Sequence, residues 1–194
     1  MNSTQLNGYN YILRNSYSKK ILTTLLSFTL LFLASCANAY KPSDEAGDFP
    51  TTSGNPVDLT QETVFTGTVY TGDFTRTEFV TSGNTADFEG TFPETAANGN
   101  GQAYGIYIVN NKVTVSAPMS QIVEAQAYKD GDVYTARKDT EGGDGTTMKS
   151  YVQFTISGDT INVIRYVVEL TTDGVNARAT YTATLTKDTT SAGN

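Results

Sequence analysis

The 194-residue chain contains no histidine, no tryptophan and a single cysteine. Each absence removes a chemistry. Without His, no Ser-His-Asp or Cys-His relay can be assembled, and the usual general base for neutral pH is missing. Without His, and with Cys36 as the sole thiol, no ordinary zinc or copper site can be built. One thiol also forms no intramolecular disulfide, so the folded part is held by its core alone. A domain of about 150 residues buries roughly two-thirds of its unfolded surface, which suffices without staples. Long hydrophobic runs are missing too. The stretch Ile21 to Ala34 is interrupted by Thr23, Thr24, Ser27 and Thr29 and falls short of the roughly 20 residues of a helical membrane span. Only carboxylate, Lys or Tyr chemistry stays open, and no residue is assigned a catalytic, cofactor-binding or metal-ligating role.

Charge is divided unevenly. The whole chain carries −7, but residues 1–36 hold Arg14, Lys19 and Lys20 and no acidic residue, which leaves −10 on residues 37–194. An acidic domain repels phosphate backbones, so nucleic acid is not expected as a partner. The same charge also serves simple solubility.

Lys19-Lys20 followed by the apolar run reads as the positive and hydrophobic regions of an export signal. The run ends in Leu33-Ala34-Ser35-Cys36, which resembles the lipobox of bacterial lipoproteins. The resemblance covers residues 19–36. It implies that residues 1–35 are a signal peptide removed on export and that Cys36 becomes a lipid-bearing N-terminus inserted in a membrane. Small side chains at 34 and 35 suit a protease cleft, and two or more acyl chains anchor stably at about 0.8 kcal/mol per buried methylene. The competing reading is a conventional secretory peptide cleaved near Ala37-Asn38-Ala39, leaving a soluble protein. In lipoprotein families an Asp after the Cys retains the protein at the inner membrane. Ala37 stands there instead, which favours the outer membrane, and Asp44-Glu45 is a weak pointer to surface exposure.

Residues 36–59 contain Pro42, Gly47, Pro50, Gly54 and Pro56 and no hydrophobic period. They are expected as the lipidated N-terminus and a flexible tether, with a coil reach on the order of 25 Å. Residues 60–187 change to alternation, the mark of half-buried strands. Ala86, Phe88, Gly90 and Phe92 share one face, as do Val152, Phe154 and Ile156. So do Ile164, Tyr166, Val168 and Leu170, and Ala177, Ala179, Tyr181, Ala183 and Leu185. Gly72-Asp73, Ser82-Gly83-Asn84, Asn98 to Gly101, Asn110-Asn111, Asp130-Gly131-Asp132, Ser157-Gly158-Asp159 and Asp173-Gly174 supply turns. Ser120 to Ala127 is read as either a turn of helix or an irregular strand. Residues 188–194 are expected to be a disordered tail.

The expected fold is therefore all-β, an antiparallel meander of eight to ten strands, with an up-and-down barrel favoured over a sandwich. In outline it resembles the small lipocalin-like barrels of bacterial lipoproteins. Lipocalins carry Gly-x-Trp on the first strand; this chain has Thr66-Gly67-Thr68-Val69-Tyr70.

Several constellations invite chemistry. Asp130 and Asp132, and Asp139, Glu141 and Asp144, lie in turn-rich segments that lack the spacing of a calcium loop. Asp87 and Glu89 share a strand face at about the 6.5–7 Å of a carboxylate pair, which any solvated sheet also shows. Tyr104, Tyr107, Tyr128, Tyr134, Tyr151, Tyr166 and Tyr181 suit either a ligand cup or plain strand packing. Three functions follow in order: a non-enzymatic anchored domain binding an apolar ligand or a macromolecular partner, a surface lipoprotein with a Thr-rich face and no pocket, and a carboxylate-dependent enzyme. A dry cavity above roughly 300 Å³ would favour the first; a core filled by Phe88, Tyr166 and Leu185 would favour the second.

Overall fold

The chain divides into the units Met1–Ala39 and Tyr40–Asn194. The computed structural model describes residues 49–60, 69–83, 90–99, 103–109, 111–172 and 175–188, all in the second unit. Leu33, Ala34, Ser35 and Cys36 lie outside the described residues, as do Asp87, Phe88 and Glu89.

Thr, Val and Tyr alternation produces strands and turn chemistry ends them. In chain order these are β1 (Asn55–Pro56), β2 (Val69–Thr71), β3 (Phe74–Gly83), β4 (Thr95–Ala96), β5 (Gly105–Val109), β6 (Lys112–Ser116), β7 (Tyr128–Asp130), β8 (Val133–Glu141), β9 (Thr147–Ser157), β10 (Thr160–Thr172) and β11 (Val175–Lys187). They form one antiparallel sheet in the order β1-β7-β8-β9-β10-β11-β2-β5-β6, with β3 beside β11 and β4. This is the all-β meander expected, with ten strands between residues 60 and 187 among the described residues. The hairpins are tight. Gly131 and Gly158, at φ 59° and 58°, turn β7 into β8 and β9 into β10, and Asn111, at φ 63°, turns β5 into β6.

Two features curl the sheet into a half-barrel. β2 and β3 lie end to end along β11, with Thr71 opposite Thr186 and Phe74 opposite Ala183. Gly72 sits at the bend, where a Cβ would stand 2.6 Å from the Thr184 carbonyl oxygen, so only glycine lets the two backbones approach. The curl also brings β6 back to the segment leading into β7. Val113 and Ala125 exchange both main-chain hydrogen bonds at 2.9 Å, and the Val115 N–H donates to the Ile122 carbonyl at 2.8 Å. That seam settles the reading of Ser120 to Ala127. Glu124, at φ 50°, is outside helical geometry, and the stretch is non-helical, irregular chain tied to β6 through the bridge at Ala125.

Three expectations need correction. The tether does not run to residue 59, because the chain is docked from Phe49 onward. Phe49 packs with Tyr151 and Val167 on the outer face of the sheet, with the Arg137 guanidinium 4.9 Å above its ring. Arg137 Nη1 donates to the Pro50 carbonyl at 3.1 Å, the Ser53 N–H to Thr135 Oγ1 at 3.2 Å, and the Val57 N–H to the Ala127 carbonyl at 2.9 Å. Leu59 is fully buried. Second, Ile164 does not share the inward face of Tyr166. A bulge between Val163 and Tyr166 adds a residue to β10, so Ile164 is exposed while Ile161, Val163, Tyr166, Val168 and Leu170 are buried. Third, Gly90 and Phe92 lie in a turn rather than a strand; Phe92 is nevertheless fully buried, because the turn folds it onto Phe79 at 5.7 Å.

The docked arm yields a first prediction. Gly54 holds φ +88°, and a Cβ there would meet the Lys129 carbonyl oxygen at 2.0 Å. Gly54→Ala is expected to free β1 from β7 at a cost of about 1–3 kcal/mol, read as accelerated amide exchange at Val57 with the β9–β10 amides unchanged.

Candidate functional site

The inner face of the curl is the natural place for a ligand, and among the described residues side chains pack across it. Ile106, Phe74, Phe154, Tyr166, Tyr181 and Leu185 are all fully buried in one continuous cluster. Their rings pack against one another. Tyr134 stacks on Phe154 at 5.5 Å, Phe74 meets Tyr166 edge-on at 6.1 Å, and Tyr166 lies 6.0 Å from Tyr181. The expected core members Tyr166 and Leu185 are therefore where alternation put them. The tyrosines do not gather into a cup: Tyr107 is turned to the Ala103 carbonyl at 3.1 Å on the exposed side, and Tyr151 belongs to the outer cluster under Phe49.

One end of the core is plugged by the chain before the seam. The Tyr166 hydroxyl donates to the Pro118 carbonyl at 3.0 Å, and the Gln121 N–H donates to Ser150 Oγ at 3.0 Å. The Ile122 N–H donates to Ser120 Oγ at 3.2 Å. Burial pushes the Tyr166 phenol well above its ordinary range despite the nearby Ser120 and Ser150 hydroxyls. Tyr181 differs. Its hydroxyl is buried with no hydrogen-bond partner, and burial raises it to about 12, opposed by the positive charge of Arg76. These two neighbours should respond oppositely to loss of the hydroxyl. Tyr166→Phe strands the Pro118 carbonyl and is expected to cost about 1 kcal/mol, whereas Tyr181→Phe removes an unsatisfied group and is expected to gain about as much. Paired urea titrations read both signs.

Among the described residues, the acidic side chains singled out in the sequence do not converge. Asp139 pairs with Arg137 across 2.8 Å and 2.5 Å contacts on β8. Asp144 accepts the Thr146 N–H at 3.0 Å within its own turn, and hydrogen bonds from Thr146 hold its carboxyl below the usual range. Among the described residues no three His, Cys, Asp or Glu side chains come together as metal ligands.

Arg76 on β3 was not singled out by any sequence pattern. It lies opposite Tyr181 in the sheet register. Its Nη1 donates to the Phe92 carbonyl, its guanidinium covers the Phe79 ring at 4.5 Å, and Nη2 lies 3.7 Å from Glu94 Oε1. Arg76, Thr77, Glu78, Phe79, Glu94 and Thr95 border a groove of about 340 Å³, widely open to solvent. A lone Arg in an alternating Thr-rich run carries no signal of this kind. Its role depends on the turn at residues 90–93, which brings a carbonyl and an aromatic ring to it. Comparison with protein-family models, curated proteins and solved structures finds no match to this chain.

Proposed function

We propose that this chain is a bacterial cell-envelope lipoprotein, anchored by lipid on Cys36, whose β domain is a non-enzymatic module that works through its outer surface. The observation that carries the second half is the filled interior. An apolar ligand needs a cavity of several hundred Å³, and the space inside the curl is taken by Phe74, Phe154, Tyr166, Tyr181 and Leu185. Of the two non-catalytic readings, the packed core supports the one without an interior ligand. The outer face supplies the alternative: Thr180, Thr182, Thr184 and Thr186 lie on β11 opposite the buried set, a hydroxyl-rich, solvated strip suited to a macromolecular partner at the envelope. Anchoring rests on Leu33-Ala34-Ser35-Cys36 behind Lys19-Lys20 and the apolar run, with Ala37 favouring the outer membrane.

Mass spectrometry of the mature protein from its own host tests both halves. The expected mass begins at Cys36 with a diacylglyceryl addition and no other bound small molecule. Cys36→Ala is expected to move the protein from the membrane to the soluble fraction. A mature chain starting at Asn38 or Tyr40 overturns the anchor, and a stoichiometric co-purifying small molecule overturns the surface reading.

A further inference from the structure

The docked arm is held unevenly along its length. Phe49 is buried against Tyr151 and Val167 on the outer face of the sheet, in a cluster of three apart from the main core. Leu59 is fully buried in that main core, and the Thr60 N–H beside it donates to Asn111 Oδ1 at 3.1 Å. Between these two points no residue is buried. Val57 is half-buried, and Ser53, Gly54, Asn55, Pro56 and Asp58 are exposed. β1 itself spans two residues, one of them a proline with no N–H to give. Ordering a backbone costs conformational entropy at every residue, and buried contacts must offset it. From Phe49 to Asp58, Phe49 is the only buried residue. A segment held in this way opens at a smaller free energy than the sheet beneath it.

We infer that Phe49–Asp58 is a releasable strap, which swings off the sheet about Leu59 as its pivot while the sheet stays folded. Phe49 is the latch. Its ring is clamped between Tyr151, Val167 and the Arg137 guanidinium, and Arg137 also holds the Pro50 carbonyl at 3.1 Å. Once Phe49 leaves, the Ser53 bond to Thr135, the short β1–β7 pair and the Val57 bond to Ala127 remain, none of them backed by a buried side chain of the arm. Opening adds the ten residues of the strap to the chain that precedes it, at most about 35 Å of further reach. It also uncovers Tyr151 and Val167, with Arg165 lying 5.2 Å over the Tyr151 ring. Phe49 stands on the Cys36 side of the arm, so tension from the anchor loads the latch before the pivot. That consequence for reach rests on the anchored reading above; the opening itself does not.

Amide exchange of the full chain in mild detergent tests the strap. Ser53 and Val57 are the probes, because their N–H groups donate to Thr135 Oγ1 at 3.2 Å and to the Ala127 carbonyl at 2.9 Å. Both are expected to exchange roughly a hundredfold faster than the β9–β10 amides, with a much weaker dependence on urea because little surface opens. Phe49→Ala is expected to speed Ser53 and Val57 together by about tenfold or more, the equivalent of losing one buried aromatic side chain. Thr60, beyond the pivot, and the β9–β10 amides should keep their rates, and Phe49→Leu should retain most of the protection. Exchange of Ser53 and Val57 at the β9–β10 rate overturns the inference, since the arm then opens only with the whole fold. So does Phe49→Ala that leaves Val57 unchanged, which makes the contacts independent, or that speeds β9–β10 as much as the arm. None of these results reports on lipid at Cys36, which the mass measurement above decides separately.

Discussion

Phe154→Ala is expected to remove about 3–5 kcal/mol from the folding free energy, the range for deleting a buried aromatic ring and leaving a void behind it. Phe154 is fully buried on β9, its ring stacked on Tyr134 of β8, and its backbone faces Val163 of β10 just before the bulge. The neighbours bordering the space are held by hydrogen-bonded strands on both sides, so collapse is limited. Ordinary domains are stable by only about 5–15 kcal/mol, and no disulfide supplements this one. The variant should therefore be partly unfolded or have a midpoint in urea near the start of the wild-type transition. Val123→Ala is the control: Val123 is 53% exposed, and its truncation should shift stability by less than about 0.5 kcal/mol. A loss below about 1 kcal/mol for Phe154→Ala would mean that the interior is loosely filled, and the case against an interior ligand would weaken with it.

Above pH 10 the domain is expected to lose stability steeply. Burial raises the phenols of Tyr166 and Tyr181, the latter to about 12, and raises Tyr70 and Tyr151 as well. The sign follows from proton counts. Below pH 10 a phenol is neutral in both states and contributes nothing to the pH dependence. Between 10 and its folded value the unfolded chain has released the proton and the folded one has not, so the unfolded state is favoured as pH rises. Each such phenol steepens the loss toward a limit of about 1.4 kcal/mol per pH unit, reached where it is ionised in the unfolded chain and still protonated in the fold. The part of the tyrosinate absorbance that comes from Tyr166 and Tyr181 should therefore appear together with loss of strand dichroism rather than ahead of it. Tyr181→Phe should move that coupled transition to higher pH; an unchanged midpoint would show that its hydroxyl reaches water in the folded state.

How far the sequence spoke depended on whether a local rule or a distant contact decided each element. Along β11 the alternation from Ala177 to Leu185 is unbroken, and each of those residues is buried as the period requires. Asn110-Asn111, Asp130-Gly131-Asp132 and Ser157-Gly158-Asp159 mark hairpins because positive φ is a local demand that few residues meet. The β10 bulge left no such mark. Ile164 is as apolar as its neighbours, and only the register of β9 and β11 on either side reveals the extra residue. The docked arm was hidden by its own composition: Pro and Gly read as coil, whereas Phe49 packs with the distant Tyr151 and Val167, the Val57 N–H reaches the Ala127 carbonyl, and Leu59 joins the main core. The groove at Arg76 was equally illegible, since it needs the carbonyl of Phe92 and the ring of Phe79.

The placement of β11 has a consequence for the order in which the molecule comes together. Most neighbouring strands are joined by short turns, but β11 completes the sheet by pairing with β2 and β3, across a separation of about a hundred residues from Thr71 to Thr186. Closing so large a loop is entropically slow compared with forming the hairpins. Assembly should therefore wait on this one encounter, with β8, β9 and β10 already associated and β3 still lacking its principal neighbour. Until β11 arrives, both β10 and β3 present bare edges, the form of the chain most prone to self-association.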